Sequence, residues 1–254
     1  MVEKVIGLIP AAGKGLRLGL PYPKELYPII NNNKYKPVAQ FILENLTIAN
    51  VNHICFVINE TKHQLLGYFG NGKKFNCNFS YVVQENTDDQ LSKSPGLAQA
   101  IDSAYHLIRN DTVFFGMPDT IIFPKNAFEI LRNKFNEDTD ILLGLFNTST
   151  PEKFGMVDID DNQNVTQIID KPKKTTLKMM WGCIVWSPKF TDLIHKSINN
   201  SEYDFANILN LAIKNQLVIK GHRFPTGNFI DLGTYSELVK LEQQFRDFSN
   251  YSLG

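Results

Sequence analysis

The chain carries no excess charge of either sign: its 254 residues hold 26 Lys plus Arg against 26 Asp plus Glu. Bulk affinity for nucleic acid rests on a basic surface, so this balance argues against a nucleic-acid partner and leaves room for a local basic pocket only. No apolar run reaches the roughly 18 residues that a membrane-spanning helix needs, so no membrane partner is expected. Cysteine is scarce. Cys55, Cys77 and Cys183 are odd in number and lack metal-ligand spacing, and reduced thiols in a cytoplasmic protein are the simplest expectation. The first apolar run follows acidic Glu3 and breaks at Pro10, which does not read as a signal peptide. No Gly-x-Ser-x-Gly elbow occurs, which disfavours a serine hydrolase. The five histidines, His53, His63, His106, His195 and His222, are dispersed, and none is assigned a catalytic role. With no Pro/Ser linker, repeat or low-complexity block, residues 1–254 are expected to form one continuous domain.

What is present is a loop. Ile6 to Lys24 reads Ile-Gly-Leu-Ile-Pro-Ala-Ala-Gly-Lys-Gly-Leu-Arg-Leu-Gly-Leu-Pro-Tyr-Pro-Lys. A short apolar strand is followed at once by Ala11, Ala12, Gly13, Gly15 and Gly19, with the cations Lys14, Arg17 and Lys24 among them. Glycine lets backbone N–H groups approach phosphate oxygens, and Arg and Lys supply the counter-charge of a polyphosphate. Two commoner phosphate motifs fail. The dinucleotide fingerprint would need glycine at Leu18, and the Gly67…Gly72-Lys73 near-match to a P-loop has Lys74 where a hydroxyl should be and follows a helical segment.

Along the chain, strands are expected at 5–9, 53–59, 79–84, 112–116 and 141–146. Helices are expected after Pro37 (Val38, Phe41, Ile42, Leu46 and Ala49 on one face), at 62–69, from Ser94-Pro95 onward (Leu97, Ile101, Ala104, Tyr105 and Ile108) and at 126–135. This alternation implies a mostly parallel sheet covered on both faces, which binds ligands at the carboxyl ends of its strands. The second half reads as a hairpin around Asp161-Asn162-Gln163-Asn164, strands at 178–187, 217–224 and 228–231, two helices, and a last helix opened by the capping box Thr234-Tyr-Ser-Glu237.

Strand ends carry the candidate chemistry. Asp119 follows an apolar strand, where it can hold Mg²⁺ beside phosphate oxygens or simply cap the turn. Asp231 ends another strand, as a second metal ligand or as an acid near a helix N-terminus. Lys171 is either a mobile cation for a second phosphate or an exposed strand-end lysine. Gln84 can read a base edge with its amide or be an ordinary polar strand end.

In order, the chain then shows Ala11-Ala-Gly-Lys-Gly-Leu-Arg17, Pro23-Lys24 with Pro28-Ile29, Gln84, Gly96-Leu-Ala-Gln-Ala100, Gly116-Met-Pro-Asp119, Phe154-Gly-Met-Val157, Asp170-Lys-Pro172, Trp181-Gly182 and Asp231-Leu-Gly-Thr234. With these nine pieces in sequence, from about residue 5 to 240, the chain resembles the sugar-1-phosphate nucleotidyltransferases. The resemblance implies an α/β fold, a Rossmann-like three-layer mixed sheet of the nucleotide-diphospho-sugar transferase (GT-A-like) type. It implies Mg²⁺-dependent transfer of a nucleotidyl group from an NTP, UTP or dTTP being favoured, to a sugar 1-phosphate. By that resemblance Arg17, Lys24 and Lys171 are catalytic. Ala11, Ala12, Gly13, Lys14, Gly15, Gln84 and Gly96 bind the nucleotide; Gly155, Asp170 and Trp181 bind the sugar; and Asp119 and Asp231 bind the metal. The N-terminal half would hold the nucleotide and residues from about 145 to 235 the sugar phosphate. Homo-oligomer formation through aromatic residues near the termini is left open. The chain departs from the pattern at Leu16, where the family usually has Thr or Ser, and in the short Arg17-to-Lys24 spacing, which is closer to cytidylyltransferases acting on polyol phosphates. That activity and a non-catalytic nucleotide-sugar sensor are the alternatives. A glycosyltransferase is disfavoured, because Asp158-Ile-Asp160 and Asp138-Thr-Asp140 lie at a hairpin turn and ahead of a strand.

Overall fold

A computed structural model describes residues 4–13, 15, 18–31, 34–85, 96–234 and 237–239. Its centre is β1 (Val5–Pro10), a run of apolar residues buried on both faces. β1 is parallel to β4 (His53–Ile58) on one side and to β6 (Thr112–Gly116) on the other, and β5 (Asn78–Val83) extends the parallel set beyond β4. Strands covered on both faces read as continuous hydrophobic runs, which is how all three central segments look in the sequence.

Side chains alternate between the faces. Ile6, Leu8, Cys55, Val57, Val113 and Phe115 pack with α3 (Leu97–Ser103), α6 (Pro188–Asn199) and α7 (Phe205–Lys214). Ile9, Ile54, Phe56, Ile58 and Phe114 pack with α1 (Val38–Ile48), α2 (His63–Phe69) and α5 (Ala127–Lys134). The result is the expected three-layer α/β arrangement. Gly116 makes the approach of α1 possible, because a Cβ there would lie 2.4 Å from Ile42 Cγ1. A short helix, α4 (Tyr105–Ile108), continues α3 after Ala104.

The sheet becomes mixed beyond β6. β11 (Met179–Trp186) runs antiparallel to β6 and to β8 (Ile141–Asn147), and β12 (Ile219–Arg223) lies parallel to β8. The hairpin of β9 (Gly155–Ile159) and β10 (Val165–Asp170) joins at Met156 opposite Met180. Two small sheets lie apart, β2 (Pro28–Asn31) with β3 (Lys34–Pro37), and β7 (Thr120–Phe123) with β13 (Asn228–Asp231).

Two local expectations change. Pro37 ends β3 and caps α1, whose first helical residue is Val38. α3 begins at Leu97 with Gly96 as its N-cap, and Ser94 and Pro95 lie outside the described residues. Among the described residues no helix is long and apolar enough to cross a membrane.

Candidate active site

Because β5, β4, β1 and β6 are parallel, the residues that follow them share one edge of the sheet: Gln84, Asn59, Ala11 and Asp119. β11 runs the other way, and with Cys183 opposite Gly116 its N-terminal end, at Trp181, reaches the same edge. Met156 opposite Met180 then brings Gly155 there, and Asp170 stands opposite Gly155. Strand direction alone therefore gathers residues spread from Ala11 to Trp181. Carboxyl ends of strands are where open α/β sheets bind ligands.

The centre of this edge is built from the first loop and two short elements. Ala11 N–H donates to the Val57 carbonyl at 2.7 Å, which continues the β1–β4 ladder one residue past the strand. Gly13 has open space where a Cβ would be, and Gly15 has φ +63° and stands beside the Lys24 methylenes, 3.8 Å from its Cβ position to Lys24 Cγ. A positive φ suits glycine because other residues meet their own carbonyl there. Lys24 opens a single 3₁₀ turn, Lys24–Leu26, after Pro23. Lys14 and Arg17 lie outside the described residues.

Lys24 Nζ is bonded to Asp119 Oδ2. Asp119 is buried, and its carbonyl accepts the Leu232 N–H at 3.0 Å. In the β7–β13 pair Asp231 stands opposite Thr120, so the two acids are neighbours across that small sheet. Burial alone would lower the Lys24 pKa, but Asp119, with Glu25 and Asp231 behind it, outweighs burial and holds the ammonium above its ordinary value. The charged form of Lys24 is thus favoured by the carboxylates around it. Two adjacent acids match the chemistry that Mg²⁺ takes, which is one or two carboxylates with the remaining positions left to substrate and water. Among the described residues there is no group of three or more His, Cys, Asp or Glu able to hold a metal.

At the β11 end of this edge, Trp181 is half-buried, with Phe205 at 5.8 Å and Phe115 at 6.4 Å between ring centroids. A Cβ at Gly155 would fall 2.3 Å from Trp181 Nε1, so the indole lies directly against glycine backbone. Lys171 follows Asp170 with φ +44°, its N–H donating to the Phe154 carbonyl at 3.0 Å. Its ammonium meets Asp170 Oδ2 at 2.7 Å and is 60% exposed. Lys171 is therefore at the right edge, but it is paired with its own neighbour rather than with the Asp119 group. At the β5 end of the edge, Gln84 is buried, its N–H bonded to the Ile58 carbonyl at 2.7 Å. Gly96 donates its N–H to Gln99 Oε1 at 2.8 Å.

One group escaped the sequence reading. Lys62 Nζ meets Glu25 Oε1 at 2.5 Å, with both side chains almost wholly buried. Burial raises the Glu25 pKa and lowers that of Lys62. The available signal was Asn59, a good N-cap directly after an apolar strand, which announces a structured turn there.

A profile of the nucleotidyl transferase family matches residues 6–247. The low-salt glycan biosynthesis nucleotidyltransferase Agl11 of Haloferax volcanii is 28% identical over 93% of this chain and 65% of its own length. A glucose-1-phosphate thymidylyltransferase of Neisseria meningitidis is 27% identical over 66% of this chain and 56% of its own length. The chain thus spans under two thirds of these two relatives. A UDP-glucose pyrophosphorylase solved with UDP-glucose superposes with a TM-score of 0.78 at 20% identity, covering 97% of this chain and 99% of that one, which shows a shared fold. A UTP-bound UGPase from Acinetobacter baumannii gives 0.75 at 17% identity, over 96% and 93% of the two chains. With its profile matched over nearly the whole length, the chain belongs to the nucleotidyl transferase family.

Proposed function

We propose that this chain transfers a nucleotidyl group from an NTP, with UTP or dTTP preferred, to a sugar 1-phosphate, giving an NDP-sugar and pyrophosphate. The observation that carries the reading is the convergence of Lys24, Asp119 and Asp231 beside the glycine-rich loop. In the proposed reaction a phosphate oxygen of the sugar 1-phosphate attacks the α-phosphorus. The bond to the bridging oxygen breaks, and pyrophosphate leaves with the electron pair. Such a transfer needs positioning and charge neutralisation more than a covalent nucleophile.

In this reading the backbone of Ala11 to Gly13 and Gly15 cradles the triphosphate, with Lys14 and Arg17 adding charge. Lys24 leaves Asp119 for the phosphates as they enter. Asp119 and Asp231 would hold Mg²⁺, which when bound supplies counter-charge to the α-phosphate and the leaving group. Gln84 and Gly96 face the base. Asp170 and Gly155 contact sugar hydroxyls under the Trp181 indole, and Lys171 exchanges Asp170 for the sugar phosphate. The N-terminal half serves the nucleotide and residues from about 145 to 235 the sugar phosphate. The Agl11, thymidylyltransferase and uridylyltransferase names of its relatives support the substrate class.

The test is pyrophosphate release with Mg²⁺, each common NTP being offered against a panel of sugar 1-phosphates. UTP or dTTP with a hexose 1-phosphate should give the largest rate. A clear CTP preference with a polyol phosphate would replace this reading by the cytidylyltransferase one, and nucleotide binding without any release would favour a sensor.

A further inference from the structure

Glu25 and Lys62 form an ion pair that the proposed reaction does not use. Their side chains are 1% and 4% exposed, and Glu25 Oε2 is buried without a hydrogen-bond partner among the described residues. Two desolvated charges with one oxygen unanswered are a poor source of stability. Apolar residues of similar volume usually do as well or better. The pair's value therefore lies in what it fixes.

It joins two turns. Glu25 is the residue after Lys24 in the turn Lys24–Leu26, and Lys62 closes the turn Glu60–Lys62 that follows β4. The same second turn begins at Asn59. Asn59 Oδ1 accepts the Thr61 N–H at 3.0 Å and the Thr61 hydroxyl at 2.7 Å, so its amide is locked. Asn59 Nδ2 then donates to the Ala12 carbonyl at 2.7 Å. One four-residue turn thus grips the glycine-rich loop at both margins, at Ala12 where it leaves β1 and at Glu25 where it delivers Lys24.

We propose that Asn59 and Lys62, acting through Ala12 and Glu25, are positioning residues: their turn clamps both ends of the phosphate-binding loop and sets where Lys24 stands relative to Asp119. For its catalytic consequence this rests on the function proposed above; for its effect on the loop it rests on geometry alone. Glu25 also adds to the field that keeps Lys24 charged, which couples the clamp electrically to the site.

The test replaces the pair by apolar residues in the full chain, as Glu25→Leu with Lys62→Met. The melting temperature should hold or rise. Amide exchange at Ala11, Leu26 and Tyr27 should accelerate by about tenfold or more, with β6 unchanged. The kcat for pyrophosphate release should fall by about tenfold or more while KM for the NTP changes less, since misplacing a charge acts chiefly on the transition state. Asn59→Ala should give the same signature from the other margin, and it carries both readouts if the double variant does not fold. Unchanged loop exchange would overturn the proposal whatever the activity. Faster loop exchange with unaltered kcat would overturn it as well. If the unaltered chain releases no pyrophosphate with any pair, the functional reading falls, and the exchange measurement alone decides the clamp.

Discussion

Lys24 and Asp119, 95 residues apart in sequence, are joined ammonium to carboxylate at the edge where β1 and β6 end. The cation that should meet the triphosphate thus neutralises the acid that should meet the metal. The pair has to separate when substrate and metal enter. Lys24→Met removes the competitor and should raise the affinity for Mn²⁺ alone by roughly five- to tenfold, about 1 kcal/mol for this part-buried pair. Electron paramagnetic resonance of free Mn²⁺ measures this directly. Equal affinity in both proteins would show that Lys24 does not guard the acids.

Turnover should respond in the opposite sense. Lys24→Met, Asp119→Asn and Asp231→Asn each remove charge aimed at the reacting phosphates and should lower kcat by roughly 10²–10³-fold, the usual cost of losing one preorganised electrostatic group. Steady-state kinetics with saturating substrates is the check. Any of the three retaining kcat within twofold would remove that residue from the proposed site.

Gly155→Ala tests the sugar side. Its new methyl would stand 2.3 Å from Trp181 Nε1, so the indole must move. Overpacking of this kind costs roughly 1–3 kcal/mol. Tryptophan emission should change, and KM for the sugar 1-phosphate should rise more than KM for the NTP. A rise confined to the NTP would place Trp181 on the other substrate.

Stability below neutral pH should carry the mark of His222. Burial, helped by Lys134, lowers its pKa below the ordinary 6.5. The unfolded chain therefore takes up the proton first, and stability that is complete above pH 6.5 declines as the pH falls below it. In His222→Gln the urea midpoint should drop less between pH 7.5 and 5.5 than in the unaltered chain. An equal drop would assign the acid sensitivity to other groups.

Much of this was legible in the sequence for identifiable reasons. The runs that became β1, β4 and β6 are apolar throughout because both faces are covered, and the helical face of Val38, Phe41, Ile42, Leu46 and Ala49 is buried as its spacing implied. Asp119 and Asp231 could be picked as strand-end acids. That they meet is an expectation from the family resemblance alone; the contact that joins them could not be read from spacing, because it depends on β7 pairing with β13. β7 is four residues long and hidden behind the Met117-Pro118 break, with its partner far along the chain. The β2–β3 hairpin has no legible strand signal, since Pro37 is as suited to a helix start as to a strand end. Glu25–Lys62 left no sign beyond the Asn59 N-cap, because a pair made between two turns has no periodicity. Lys14, Leu16 and Arg17 of the glycine-rich loop lie outside the described residues.

The central claim is a transfer of the α-phosphorus, and the most direct measurement follows that atom. The chain is incubated with Mg²⁺, α-³²P-labelled UTP or dTTP and a hexose 1-phosphate, with the Asp119→Asn variant alongside. The account predicts label in an NDP-sugar, one pyrophosphate formed for each, and both products lost in the variant. Label that stays in the NTP, or that emerges as nucleoside monophosphate by hydrolysis with no sugar attached, would contradict it.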